Sequence, residues 1–390
     1  MRCWATDSAT TDKANCDRKE AQPMKKRVLA LALILCLSLT GCASLLEREY
    51  VVVSPYRPVS NLSDSSSALR VESYQELVNA VLYLVTIGEE QGVLNLYNYT
   101  QDVEADLNRA CLEVLQEDPL GAYSVEQITH NYSLIVSYYE VNLQITYRRS
   151  REQVGSIAAV TGSSAIRSVI SSALTSFAPE SVLRISYFTE DEDYIRTLVE
   201  QAYYDSPATA LGMPETQISI YPNSGSQRIV EIMLTYPLSA QTLRQQNRIL
   251  TDLASILVTE EATAQSLCDS ITNGLTISPD SGRSSTYDAL VKKDTDSEGA
   301  ALAYQFLCDQ AGIECYLVRG FLNESVHFWN IVRGGDGQYR HMDLSAGLSG
   351  LSDPELTAHA AYLWDTREYP VCPAPDPEEE NLPGEKVEEN

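Results

Sequence analysis

The chain has 390 residues, room for two or three domains, and 44% of them are apolar and 21% charged, which excludes a disordered or collagen-like polymer. Fifty-four acidic residues oppose 28 basic ones for a net charge of −26, and residues 1–41 hide part of the bias by holding seven of the basic and four of the acidic residues. A surface this acidic repels a phosphate backbone, so nucleic acid is excluded as a partner.

Residues 24–41 read as an export address. Lys25-Lys26-Arg27 is followed by the apolar run Val28 to Leu39, which is too short to span a bilayer comfortably, and then by Thr40-Gly41-Cys42. Leu39-Thr40-Gly41-Cys42 resembles the lipobox of bacterial lipoproteins. That resemblance implies a lipidated Cys42 as the first mature residue, with the chain held at the extracytoplasmic face of the cell membrane. Met24 is then the expected start, and residues 1–23 an upstream extension without a fold. Residues 42–70, rich in Ser and holding Pro55 and Pro58, are expected to form the tether.

Residues 71–236 carry a weak internal repeat. VLNLYNYTQD at 93–102 resembles VLRISYFTED at 182–191, Pro119 and Pro207 both end a helical stretch, and Tyr147 and Tyr236 both close a strand. Each copy reads as helix, strand, helix and a pair of strands. The first copy predicts 73–89, 93–99, 102–116, 123–130 and 133–148, and the second 160–177, 182–188, 190–204, 216–221 and 227–236. The strands rest on alternation, with Leu134, Val136 and Tyr138 on one face, then Val141, Leu143, Ile145 and Tyr147. Two repeated α+β modules are expected, over 71–150 and 151–237. Neither holds a catalytic constellation. Their tyrosines (Tyr132, Tyr138, Tyr139, Tyr147) read first as half-buried sheet packing and second as a surface for sugars or peptides.

From 238 to 372 the chain changes character, and residues 373–390, rich in Pro and Glu, are expected to be a disordered acidic tail. Helices are predicted at 238–258 and 260–273. STYDALVKKDTDSEGAALAYQFLCDQAGIECYLVRG at 285–320, HFWNIV at 327–332 and QYRHMDLSAG at 338–347 follow, and LWDTREYPVC closes the region at 363–372. In order, these segments resemble the transglutaminase-like domain, a papain-type α+β fold in which a nucleophile-bearing helix packs on an antiparallel sheet. The resemblance implies a Cys nucleophile at a helix N-terminus, where the helix dipole favours thiolate, a His on a strand and an Asp that orients it. The His is His327 and the Asp is Asp343, with Trp329, Asn330 and Tyr287 as supporting residues. A three- or five-residue connection (334–336 or 333–337) would set His327 directly opposite Asp343, and Gly334, Gly335 and Gly337 permit such turns.

The nucleophile position departs from the pattern, because family spacing puts it at Ser297. Ser297 also reads as a plain N-cap. Asp294, Asp296 and Glu298 around it disfavour anionic chemistry, and a Ser needs a base to remove its proton where a thiol is already partly ionised. Cys111 and Cys308 fall on apolar helix faces as small core residues. The five cysteines beyond Cys42 suggest neither a disulfide framework nor a zinc site, and no metal or organic cofactor is implied. The leading expectation is a catalytically degenerate, lipid-anchored protein that binds a peptide or a cell-wall-associated protein. One alternative is an active acyl-transferase or hydrolase of amides using Ser297, His327 and Asp343. The other is a structural or assembly module led by the N-terminal repeats.

Overall fold

The structure is a computed structural model and describes residues 68–359 and 361–374. The leader, Cys42 and all of the predicted tether but its last three residues lie outside the described residues, as does the tail from 375 onward. The chain is a mixed α+β protein. Among the described residues no helix is long and apolar enough to cross a membrane.

The first sheet-bearing unit runs β1 (Ala68–Val71), α1 (Tyr74–Ile87), β2 (Gln91–Tyr97), α2 (Val103–Gln116), α3 (Pro119–Ser124), β3 (Val125–Ile135) and β4 (Tyr138–Tyr147). Its sheet has the order β1-β2-β4-β3, with β1 parallel to β2 and the other pairs antiparallel. Local chemistry sets the ends of α1. Ser73 accepts from the Glu76 N–H, and Gly88 takes the left-handed conformation, φ 67°, that a side chain would resist. Leu77, Val81, Leu107 and Val114 from α1 and α2 close over Leu94, Leu96, Val141, Leu143 and Ile145 of the sheet.

Three expectations are corrected here. The unit reaches upstream of the expected 71, because Ala68–Val71 pairs with β2. Pro119 starts a helix rather than only ending one: Asp118 caps it, and Pro at its first turn gives up an N–H that would have no partner anyway. The hairpin turns at Val136-Ser137, not near 131–132, since Ile135 pairs with Tyr138. The alternation Leu134, Val136, Tyr138 runs straight through that turn, and no Gly, Asn or Pro marks it.

The second unit comprises α4 (Arg151–Gly155), β5 (Ala158–Val160), α5 (Gly162–Ser176), β6 (Glu180–Ile185), α6 (Glu192–Tyr204), β7 (Glu215–Tyr221) and β8 (Arg228–Thr235). Its sheet has the order β5-β6-β8-β7, again with one parallel pair followed by two antiparallel ones.

The C-terminal region runs α7 (Ala240–Leu257), α8 (Ala264–Thr272), β9 (Thr276–Ile277), a π-helical turn at Asp288–Lys292, β10 (Asp294–Thr295), α9 (Ser297–Ala311), β11 (Cys315–Leu322), β12 (Ser325–Arg333), β13 (Tyr339–Asp343), β14 (Leu348–Leu351), α10 (Asp353–Ala358) and β15 (Tyr362–Leu363). The α8 helix starts later than predicted because Thr263 and Ser266 form a capping box there. Five strands form an antiparallel sheet in the order β14-β13-β12-β11-β15. Helix α9 is buried all round from Gly299 to Cys308. It packs between α7 and α8 on one side and the Leu317 and Phe328 face of the sheet on the other, where Ala301 and Leu302 join the core of the second unit. Cys111, Cys268, Cys308, Cys315 and Cys372 are all free and buried.

Candidate active site

Helix α9 sets the first member. Asp296 is its N-cap and accepts from the Gly299 N–H at 3.1 Å, so the capping role considered for Ser297 belongs to its neighbour. Gly299 lets the first turn press onto the preceding loop, since a Cβ there would sit 2.1 Å from Thr295 Oγ1. Ser297 is therefore the first helical residue and its hydroxyl is free to point elsewhere. Strand β13 pairs with β12 only between Asn330 and Arg333, and beyond that point Ser297 Oγ accepts from the Phe328 N–H at 3.4 Å. No hydrogen bond joins Ser297 to the His327 ring among the described residues. The nearby acids are directed away: Asp294 pairs with Arg283, Asp296 accepts from the Ser284 hydroxyl, and Glu298 accepts from Tyr204.

His327 and Asp343 come together as the sequence suggested, but by a different register. The β12–β13 connection is five residues, 334–338, with Gly337 at φ 83°. It starts one residue later than the five-residue connection considered. The paired positions are thereby displaced, and Asp343 falls across from Trp329, diagonal to His327 and on the same face. The contact still forms: His327 Nε2 lies 2.6 Å from Asp343 Oδ2. Nε2, rather than Nδ1, thus faces the carboxylate, leaving Nδ1 as the nitrogen whose lone pair a proton would have to reach.

Asp343 is almost fully buried and saturated with donors. Oδ1 accepts from the Ser345 N–H (3.0 Å), the Ala346 N–H (2.9 Å) and the Ser345 hydroxyl (2.7 Å), and Oδ2 accepts from Tyr362 OH (2.7 Å) as well as His327. Burial pushes this carboxyl up, but the His327 contact, the Ser345 hydroxyl and the Ala346 N–H outweigh burial and hold it below the usual range. Ser345 and Tyr362 were not singled out from sequence. Ser345 lies in the quoted QYRHMDLSAG, and Tyr362 stands one residue before LWDTREYPVC.

Behind the pair lies a second chain of contacts. The Trp329 indole N–H donates to His341 Nδ1 at 3.0 Å, and His341 Nε2 lies 2.8 Å from Asp353 Oδ1. Indole is a donor only, so Nδ1 carries no proton and the neutral ring donates through Nε2. Burial lowers the His341 pKa, against a smaller opposing pull from Asp353. His341, Asp353 and Cys372 are close enough to suggest a metal centre. The tautomer argues against it, because a metal on Nε2 would need Nδ1–H, which would then meet the Trp329 N–H head-on. Burial also pushes the Cys372 thiol up to about 12.

The supporting residues separate. Trp329 stacks beside His327 at 6.1 Å and stands edge-on to Tyr362 at 5.3 Å, on the face expected. Gly320, across from His327, makes room for it: a Cβ there would lie 2.5 Å from the Trp329 ring. Asn330 is on the opposite face, donating to the Ala301 carbonyl at 3.1 Å, and so ties β12 to α9 rather than lining the site. Tyr287 does not wall the pair either. It lines a separate cavity of about 380 Å³ with Tyr203, Asp288, Lys292 and Glu298, because the π-helical turn carries it toward α7. Burial, and then the Asp296 charge, push Glu298 up to about 7. A larger hollow, about 640 Å³, runs along Glu190–Asp193 and Ile218–Tyr221 in the second unit and holds none of these residues.

Chemically, the arrangement is an intact His–Asp pair that the Ser345 hydroxyl touches at both members, 3.3 Å from His327 Nε2 and 2.7 Å from Asp343 Oδ1, while the Ser297 hydroxyl is bonded elsewhere. No family model and no curated protein match the chain. Among solved structures it is similar to a TGase (12% identity, TM-score 0.25), covering 44% of this chain and 52% of that one. It is also similar to a cysteine protease candidate from Cytophaga hutchinsonii (15%, TM-score 0.23; 35% of this chain, 64% of that one). A protease candidate from Parabacteroides distasonis is a third (10%, TM-score 0.20; 65% and 39%). The chain thus spans less than two thirds of each of these proteins.

Proposed function

We propose that residues 238–372 form a transglutaminase-like domain whose nucleophile position is degenerate, in a protein anchored by a lipidated Cys42 outside the cytoplasm. The domain binds a peptide segment of another protein, in the setting of the cell wall, without turning it over. The observation that carries this reading is the disposition of Ser297. Its hydroxyl stands at a helix N-terminus next to the His327–Asp343 pair yet bonds to the Phe328 amide instead of the imidazole. A serine with no base in hydrogen-bond contact has no group to take its proton as it attacks. The two four-stranded units are read as copies of one module, a reading supported by their shared strand order and directions.

The test is chemical. Treated with a fluorophosphonate, the wild-type chain is expected to leave Ser297 unlabelled. The Ser297→Cys variant is expected to be alkylated by iodoacetamide far faster than the five buried cysteines, and more slowly once His327→Ala is added. Fluorophosphonate labelling at Ser297 that disappears with His327→Ala would establish an active serine enzyme and overturn the degenerate reading.

A further inference from the structure

The β3–β4 hairpin ends in three consecutive aliphatic residues, Leu134, Ile135 and Val136. Val136 is 99% exposed and Leu134 62%. The turn residue Val136 has φ 50°, a conformation that a β-branched side chain resists and that Asn or Gly would adopt readily. The hairpin therefore keeps an apolar apex against both solvation and backbone preference. Tyrosines stand behind that apex on both faces. Leu134 lies across from Tyr139, whose ring is 6.1 Å from Tyr132, and Ile135 lies across from Tyr138, whose ring is 4.8 Å from Tyr97.

An aliphatic tip with a collar of tyrosines matches the polarity gradient of a bilayer interface, in which aliphatic groups enter the acyl region and phenol rings sit at headgroup depth. The adjoining charges are mostly acidic: Asp102 and Glu104 act on Tyr132 and Glu140 follows Tyr139, while Arg70, stacked over the Tyr97 ring, is offset by its pairing with Glu72. A neutral lipid surface is accordingly favoured over an anionic one. The chain outside the structure fits. Twenty-five residues separate Cys42 from Ala68, which pairs with Val93 in the same sheet. Val93 pairs with Asn142, six residues from Val136, or about 20 Å along the strand. A segment of that length spans about 27 Å even as a coil, enough to let the tip reach the membrane that holds Cys42.

We propose that the Leu134-Ile135-Val136 tip inserts into the interface of a zwitterionic bilayer as a second contact, resting on the reading of Cys42 as a lipid anchor. The test uses the full chain in two forms, one lipidated by an exporting cell and one with Cys3, Cys16, Cys36 and Cys42 replaced by Ser. Each carries Val136→Cys labelled with an environment-sensitive fluorophore, with Ser224→Cys as the control site. Phosphatidylcholine vesicles are expected to shift the emission at 136 to the blue, with quenching by spin-labelled lipid, and to leave 224 unchanged. Adding Leu134→Asp and Ile135→Asp is expected to abolish the shift and weaken vesicle binding of the unlipidated form by at least about tenfold. An unshifted label on a lipidated chain that floats with the vesicles overturns the proposal. So does a shift that grows with protein concentration without lipid, which would assign the tip to a second copy. Failure of the anchor reading shows separately, as flotation that does not depend on Cys42. The unlipidated form then decides alone, a lipid-dependent shift supporting the proposal and its absence overturning it.

Discussion

His327 and Tyr362 converge on a single atom, Asp343 Oδ2, at 2.6 and 2.7 Å. The imidazole is thus oriented by a carboxylate that is itself held from the far side by the last strand of the domain. Burial, and then the neighbouring carboxylate, push the Tyr362 hydroxyl far up, so it remains a donor across the physiological range.

Removing that donor is expected to be felt at both ends of the contact. Tyr362→Phe should cost about 1–2 kcal/mol of stability, read as a lower urea midpoint with an unchanged slope. It should also raise the Asp343 pKa. In a Ser297→Cys background, the acid side of the alkylation pH profile should move upward. A profile identical to that of the Tyr362-containing parent would remove Tyr362 from the site.

Glu298 sets an opposite pH dependence. Its folded pKa, about 7, lies above its unfolded value of 4.5, so the folded state holds the proton more tightly. Stability from this group is full below about pH 4.5 and is lost as pH rises through 7. Urea midpoints measured between pH 5 and 8 should therefore fall more steeply for wild type than for Glu298→Gln. The difference should be on the order of 2 kcal/mol across the window. Parallel curves would mean that the carboxylate is solvated when charged.

His341 works in the other direction. Burial depresses its folded pKa below 6.5, so its contribution is present above the unfolded pKa and lost as pH falls through and below 6.5. Trp329→Phe leaves His341 Nδ1 buried without its donor. A loss of about 2–4 kcal/mol is expected from that lone acceptor plus the smaller ring. The acid-side decline should also shift, visible by following stability and the His341 ring signals in NMR together. Retention of both would show the indole bond to be dispensable.

Gly320→Ala tests the floor of the site. The new Cβ would lie 2.5 Å from both the Leu363 carbonyl and the Trp329 ring, one backbone and one fully buried. Destabilisation of about 1–3 kcal/mol is expected, with altered near-ultraviolet dichroism from the displaced tryptophan. An unchanged spectrum at wild-type stability would mean that β15 yields instead of the ring.

Much of the fold was legible where periodicity is long. The predicted helices at 102–116 and 190–204 match α2 and α6 within two residues, because apolar spacing and the caps Asp102 and Asp191 agree. The β3–β4 turn was not, since Val136 gives no turn signal and carries the strand alternation through it. In the site, the order of Ser297, His327 and Asp343 along the chain was enough to nominate the residues. Their geometry was not readable. Which residue capped α9 depended on Asp296 winning over Ser297, and the His–Asp register depended on where the 334–338 connection began. Tyr362 and Ser345 reach Asp343 through tertiary contacts that local pattern does not encode.

The end of the domain is fastened by two bonds between Asp353 and Cys372: the Asp353 N–H donates to the Cys372 carbonyl at 2.8 Å, and the Cys372 N–H donates to Asp353 Oδ2 at 3.1 Å. Between these residues lies the strand that brings Tyr362 to Asp343. During synthesis these are among the last parts of the domain to emerge, whereas Ser297 and His327 emerge tens of residues earlier. The His–Asp pair therefore stays without its full set of donors until the far end of the domain has been delivered, so the site cannot take its final form on a nascent chain.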